Sequence, residues 1–265
     1  MENRIDTRMR QLAATGRKSL SIVIMIGDPD LKTTVELMEI ALEVGVDVFE
    51  FGIPMSDPVL DSSVMRDSMR RALAFSSNYD FYLETLSGFR ERFPEAIFEI
   101  MIYHETVEKI GLEKFCTALV KADMDCFLVA DGVFKGADYL KKLDDTFLPN
   151  NIYPIRFVPH PYSSQQFDDL KTNARGFIIV QTKTDTKGHR DGVLDENKKS
   201  LQEIRRAGIN LPLVFAYGIK TPADAQKCIS LGANGVLIGT VLLDAAHRLS
   251  RMEYRQLLKS LREAV

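Results

Sequence analysis

The residues that could do chemistry fall into two groups. The first is a pair of carboxylates. Glu50 sits inside an apolar run, Phe49-Glu50-Phe51-Gly52, and Asp61 follows eleven residues later, beyond Ile53-Pro54-Met55-Ser56-Asp57-Pro58. A carboxylate in an apolar strand is expensive to bury unless it is paired, neutral or has a task. Alternation with Val48 and Gly52 turns Glu50 to the inside of a barrel, and its bland alternative is an ion pair with Lys or Arg across that barrel. Asp61 can equally cap the next helix, with Ser62 competing for the place, and Asp57 before Pro58 reads as a turn residue. Two carboxylates beside one pocket are what general acid/base catalysis needs.

The second group is a phased set of glycines: Gly188 in Thr186-Lys187-Gly188, Gly218 in Tyr217-Gly218-Ile219, and Gly239 in Ile238-Gly239-Thr240. Each follows a short apolar run. Glycine lets the backbone approach an anion, and Gly239-Thr240 opens a helix whose first N–H groups favour negative charge. The alternative is that these glycines only make tight turns. Lys183, Lys187, His189 and Arg190 make the loop around Gly188 basic, as a lid over an anion or as an ordinary solvated loop. Asp28 and Asp131, each at the end of a run, read as loop-fixing groups. The four histidines and the odd, scattered Cys116, Cys126 and Cys228 show no metal-ligand spacing, so no metal and no disulfide framework is expected.

Elements that must hold these residues recur along the chain. Eight apolar, β-branched runs occupy 20–26, 47–52, 97–103, 126–130, 152–158, 176–182, 212–216 and 235–238. Near-continuous hydrophobicity suits parallel strands covered on both faces. Amphipathic stretches at 33–43, 112–121, 137–144, 196–206 and 223–231 lie between them, and Thr221-Pro222 is a strong helix start. A short helix over 62–74 and a main helix over 79–93 fill the second interval. The expected fold is α/β, a (β/α)8 TIM barrel, with an extra helix in 1–17 capping its N-terminal end. With no Pro/Gly/Ser linker, residues 1–265 read as one domain. In that fold, function belongs at the C-terminal ends of the strands, where both groups fall. Phosphate sites recur after the last strands, so the expected ligand is a phosphorylated small molecule.

Bulk properties narrow the partners. The net charge is −3, with 45% hydrophobic and 27% charged residues, which argues against nucleic acid or an anionic membrane as partner. No run reaches the ~20 apolar residues of a membrane span, and residues 1–18 are too charged for a signal peptide, so a cytoplasmic location is expected.

The residues from about Ser21 to the last run resemble the tryptophan synthase alpha chain family. Glu50-Phe51-Gly52-Ile53-Pro54-Met55-Ser56-Asp57-Pro58-Val59-Leu60-Asp61 is close to the family signature E-L-G-x-P-x-S-D-P-x-x-D. Gly27-Asp28-Pro29, Leu128-Val129-Ala130-Asp131, Tyr217-Gly218-Ile219 and Gly239-Thr240 also fall in register. The resemblance implies a lyase that cleaves indole-3-glycerol phosphate by retro-aldol chemistry, without a cofactor of its own and with a beta-chain partner in a heterotetramer. It implies that Glu50 is the acid/base at indole C3, that Asp61 holds the indole N–H, and that Gly188, Gly218, Gly239 and Thr240 hold the phosphate. The chain departs from the family pattern at Ser62-Ser63 (Gly-Pro), Arg66 (Gln), Glu105 (Asn), Val133 (Pro) and Ile179 (Tyr). Two other readings stay open: a barrel enzyme for a different phosphorylated substrate, and a catalytically weak subunit that regulates a partner.

Overall fold

The computed structural model describes residues 2–58, 60–163, 165–184 and 193–265. Its nine strand segments are β1 (Ser19–Met25), β2 (Val48–Gly52), β3 (Ile97–Ile102), β4 (Cys126–Val129), β5 (Tyr153–Pro154), β6 (Arg156–Val158), β7 (Ile178–Gln181), β8 (Leu213–Ala216) and β9 (Gly235–Ile238). Every pairing between them is parallel, in the order β5-β4-β3-β2-β1-β9-β8-β7-β6. The two ends of that order are consecutive in the chain, joined through Ile155, so the sheet is a nearly closed barrel.

The expected fifth strand over 152–158 is therefore one stave in two pieces. Its first half pairs with β4 and its second with β7, while Ile155 N–H donates to the Phe127 carbonyl at 2.8 Å. Pro154 brings no N–H to the ladder, and the strand changes partner beside it. The other seven runs each form one strand.

The helices are α1 (Arg4–Ala14), α2 (Leu31–Val44), α3 (Ser63–Phe75), α4 (Tyr79–Arg92), α5 (His104–Ile110), α6 (Leu112–Lys121), α7 (Ala137–Phe147), α8 (Gln165–Asn173), α9 (Asn197–Arg206), α10 (Pro222–Ser230), α11 (Thr240–Arg248) and α12 (Arg251–Glu263). Their starts follow the local chemistry. Asp30, Ser62 and Ser250 each accept from a first-turn N–H, and Thr221 with Asp224 forms a full capping box. Gly45 ends α2 at φ 89°, a left-handed cap that favours glycine.

Strand alternation divides the core into two shells. Leu20, Ile22, Phe49, Phe51, Phe98, Ile100 and Phe127 face the helices. Val23, Met25, Val48, Ile97, Met101, Cys126, Phe177, Ile179, Val214 and Leu237 fill the barrel. Each fully buried Val, Leu, Ile or Phe contributes ~1.5–3 kcal/mol. The bottom of the barrel is plugged by α1, whose Ile5, Met9 and Leu12 recur at helical spacing and join the inner shell. This is the extra N-terminal helix that the sequence predicts. Polar clamps hold it there. Arg8 binds Asp47 at 2.6 and 2.9 Å, and Arg4 binds Asp125 at 2.9 Å. Asn3 Nδ2 donates to the carbonyls of Asp125 and Asn151 at 2.9 and 2.8 Å.

Candidate active site

A cavity of about 240 Å³ opens at the C-terminal end of the barrel. Its floor is apolar, with Val23, Met101, Leu128, Ile179, Ala216 and Leu237 from six different strands. Glu50, Asp61, Gly218, Gly239 and Thr240 all line it. Five of the six expected site residues thus share one space. The sixth, Gly188, lies outside the described residues, as do Lys187, His189 and Arg190.

Glu50 is 3% exposed. Its flanking Phe49 and Phe51 point outward into the helix layer, so strand alternation sends the carboxyl inward. Among the described residues no ion pair crosses the barrel to Glu50, and Oε2 is buried without a hydrogen-bond partner. Burial first, and the nearby Asp61 second, push the Glu50 carboxyl up to about 8. It is an acid that rests protonated near neutral pH.

Asp61 sits in the loop after β2. Ser62, not Asp61, caps α3, accepting from Met65 N–H at 3.3 Å. The capping alternative is thereby removed, and the Asp61 carboxylate is left for the cavity. Tyr103, just past the end of β3, donates its hydroxyl to Asp61 Oδ2 at 2.7 Å. Arg66 reaches back to the Asp61 carbonyl at 2.6 Å. Burial raises the Asp61 carboxyl, while the Tyr103 hydrogen bond and the Arg66 charge hold part of that rise back.

Another part of the wall is built from backbone. Gly239 immediately precedes α11, and Ser62 immediately precedes α3, so two helix N-termini meet at the cavity. Their leading hydroxyls, Ser62 Oγ and Thr240 Oγ1, lie 3.3 Å apart. First-turn N–H groups have no carbonyl four residues back, and the helix dipole adds to the attraction for an anion. Gly218 adopts φ 67°, and a Cβ there would come within 2.1 Å of Thr184 Cγ2. Beside it, Tyr217 presents its ring 5.6 Å from that of Phe157, and the Thr182 hydroxyl donates to the Tyr217 carbonyl. Lys220 completes the lining on this side.

Other sequence candidates are structural. Asp28 accepts from Arg71 at 2.6 and 2.7 Å and from Ser68, which fastens α3 to the first loop. Asp131 accepts from His104 N–H at 2.8 Å and pairs with Lys135. The three cysteines are buried and free. Among the described residues, no group of three His, Cys, Asp or Glu is placed to hold a metal ion, and no helix is long and apolar enough to cross a membrane. A second cavity of about 250 Å³ lies between the fifth stave, α7 and α8. Its charged groups, Arg156 and Asp169, are already bound to each other at 2.7 Å, with Asp144 on the same guanidinium.

Sequence reasoning passed over Tyr103, which orients Asp61, and Glu99, a fully buried carboxyl in the barrel. The signal for Glu99 was present: Phe98-Glu99-Ile100 repeats the pattern of Phe49-Glu50-Phe51 on the neighbouring strand.

A sequence profile of the tryptophan synthase alpha chain matches residues 9–264. The chain belongs to the tryptophan synthase alpha chain family. It is 31% identical over 242 residues to the tryptophan synthase alpha chain of Legionella pneumophila strain Lens, covering 91% of this chain and 87% of that one. It is 32% identical over 245 residues to the one from Xanthomonas oryzae pv. oryzae strain MAFF 311018, covering 91% and 89%. The crystal structure of tryptophan synthase subunit alpha from Legionella pneumophila strain Paris superposes with a TM-score of 0.86 at 30% identity, over 100% of this chain and 98% of that one. Three of the departures from the family pattern meet at this site: Ile179 and Ser62 line the cavity, and Arg66 bonds the Asp61 backbone.

Proposed function

We propose that this chain is a carbon–carbon lyase that cleaves indole-3-glycerol phosphate to indole and glyceraldehyde 3-phosphate by a retro-aldol reaction. The observation that carries the reading is that a buried Glu50 and Asp61 share one apolar cavity with two helix N-termini. The apolar floor suits a flat aromatic ring. The phosphate binds to backbone N–H groups at Gly188, Gly218 and Gly239 and to the Thr240 hydroxyl.

Glu50 gives its proton to indole C3, which becomes tetrahedral while the ring takes on positive charge. Asp61, held by Tyr103, accepts the indole N–H hydrogen bond and stabilises that charge. The Glu50 carboxylate then takes the proton of the neighbouring glycerol hydroxyl. The carbon–carbon bond breaks, its electron pair restores the aromatic ring, and the hydroxyl carbon leaves as the aldehyde. Glu50 ends as it began, protonated. The raised carboxyl serves both steps because its proton affinity lies near working pH.

The reaction needs no metal or organic cofactor from this chain. The partner is a tryptophan synthase beta chain, in a heterotetramer of alpha and beta chains, and the enzyme works in the cytoplasm as one 1–265 barrel domain. The turn Gly132–Lys135 after β4 carries Phe134, 58% exposed, next to Val133, and offers that chain an apolar contact.

Steady-state assay of indole release from indole-3-glycerol phosphate, with and without beta chain, tests the reading. Release that Glu50→Gln abolishes supports it. No release under either condition removes it, and beta-chain activation that survives in Glu50→Gln without any lyase activity replaces it with a regulatory subunit.

A further inference from the structure

Glu99 has no part in the reaction as described, yet its position ties it to Glu50. The two are register partners on β3 and β2. Adjacent strands lie ~4.8 Å apart, and both residues fall on the inward side of the alternation. Their chain neighbours Phe49, Phe51, Phe98 and Ile100 all belong to the outer shell. Met101 lines the cavity, whereas Glu99, two residues earlier, does not. Glu99 therefore lies one tier deeper in the barrel than the cavity floor.

Its environment is closed to bulk solvent. Glu99 is 0% exposed, and neither of its oxygens has a hydrogen-bond partner, in common with Glu50 Oε2. Among the described residues no ion pair reaches either carboxyl. The titratable groups that face the two are Cys126, registered opposite Glu99 on β4, and Asp61 and Tyr217 at the cavity, with Tyr103 acting through Asp61. None of these supplies a positive charge. Two carboxyl groups this close and this shielded cannot both ionise. The deeper of the two, out of contact with the cavity, is the one that stays neutral. Burial, and then the Glu50 charge, act in that direction on Glu99.

We propose that Glu99 is a positioning residue for Glu50: each rests with its own proton, and when Glu50 gives its proton away the one on Glu99 is shared with the new carboxylate across adjacent strands. During turnover the new Glu50 carboxylate faces a protonated neighbour whose O–H is turned to it. That donor stabilises a carboxylate that bulk solvent does not reach, and it lets Glu50 part with a proton that burial alone would hold too tightly. The proton on Glu99 is never transferred to substrate. The catalytic consequence rests on the acid/base role proposed for Glu50, but the sharing does not require a substrate.

Two readouts test it. In the ligand-free protein, infrared titration follows the carbonyl stretch of protonated carboxyl groups. One band is expected to persist after the Glu50 band has been lost with rising pH, and to be missing in Glu99→Gln. In turnover, the alkaline limb of kcat/KM for indole release is expected to move up by about one pH unit or more in Glu99→Met, which has no donor, with kcat reduced and KM unchanged. Glu99→Gln, whose amide still donates, stays close to wild type. The proposal is overturned if no band outlasts that of Glu50, if the Glu99→Met limb stays put or moves down, or if Glu99→Gln shifts as far as Glu99→Met. Should Glu99→Met fail to fold, the infrared comparison of wild type with Glu99→Gln decides alone. Should no indole form at all, the functional reading fails while the infrared titration still decides the carboxyl pair.

Discussion

The two ends of the barrel treat buried carboxylates in opposite ways. At the N-terminal end, Asp47 receives Arg8, Arg262 and the Leu20 N–H, and Asp125 receives Arg4, Arg90 and the Phe98 N–H, all within 2.6–2.9 Å. Toward the C-terminal end, Glu50 at the cavity and Glu99 one tier below it have buried oxygens with no hydrogen-bond partner among the described residues, and Asp61 has one phenol. The first arrangement fixes charge and ties α1, α4 and α12 to the strand starts. The second withholds counter-charge, so Glu50 and Glu99 are held toward their protonated forms, and the Glu50 proton is available for transfer. Stability is built at the bottom of the barrel and reactivity at the top, which is the division of labour expected of this fold.

The comparison breaks most visibly at Glu50. Glu50→Gln keeps the shape and removes the transferable proton, so kcat for indole release should fall by ~10²–10⁴-fold while the melting temperature holds or rises. The mirror experiment is Asp125→Ala. It strands Arg90 in the core and should lower stability by ~3–5 kcal/mol in urea titration, with activity per folded molecule unchanged.

A subtler contrast is the pH dependence of folding. Glu50 is raised from 4.5 to about 8, and Glu99 moves in the same direction. A carboxyl that folding raises contributes stability at low pH that is lost as pH climbs, and for Glu50 the loss is complete above about 8. Wild-type stability should therefore decline from about pH 4.5 to about pH 8. Glu99→Gln should flatten that decline and be more stable than wild type near neutral pH, read from denaturant midpoints. The smallest effect is expected at Tyr103. Tyr103→Phe leaves Asp61 without its donor and should cost about 10-fold in kcat with little change in stability.

How much of this the sequence contains depends on the range of the interaction. Glu50 was legible because one charged residue interrupts an apolar strand whose alternation fixes its direction. Gly218, Gly239 and Thr240 were legible because strand-end glycines and a helix start are local patterns. The double pairing of residues 153–158 was not legible. It arises where the barrel closes on itself, and only Pro154 hints at it locally. Tyr103 was hidden at the end of an apolar run, where a tyrosine reads as core until Asp61 is seen 2.7 Å from its hydroxyl. The choice between Asp61 and Ser62 as cap was open because both are good caps, and the loop path from β2 decides it. Glu99 obeys the same rule as Glu50, but its importance depends on the register between β2 and β3, which no single segment encodes.

The central claim is that a buried, protonated Glu50 drives cleavage of indole-3-glycerol phosphate. The most direct test is the pH dependence of kcat/KM for indole release by the wild-type chain beside Glu50→Gln. Activity is expected to fall away on an alkaline limb near pH 8, where Glu50 loses its proton, with no limb or measurable turnover in the variant. Indole release by Glu50→Gln at the wild-type rate, or a wild-type profile that stays flat through that limb, would contradict it.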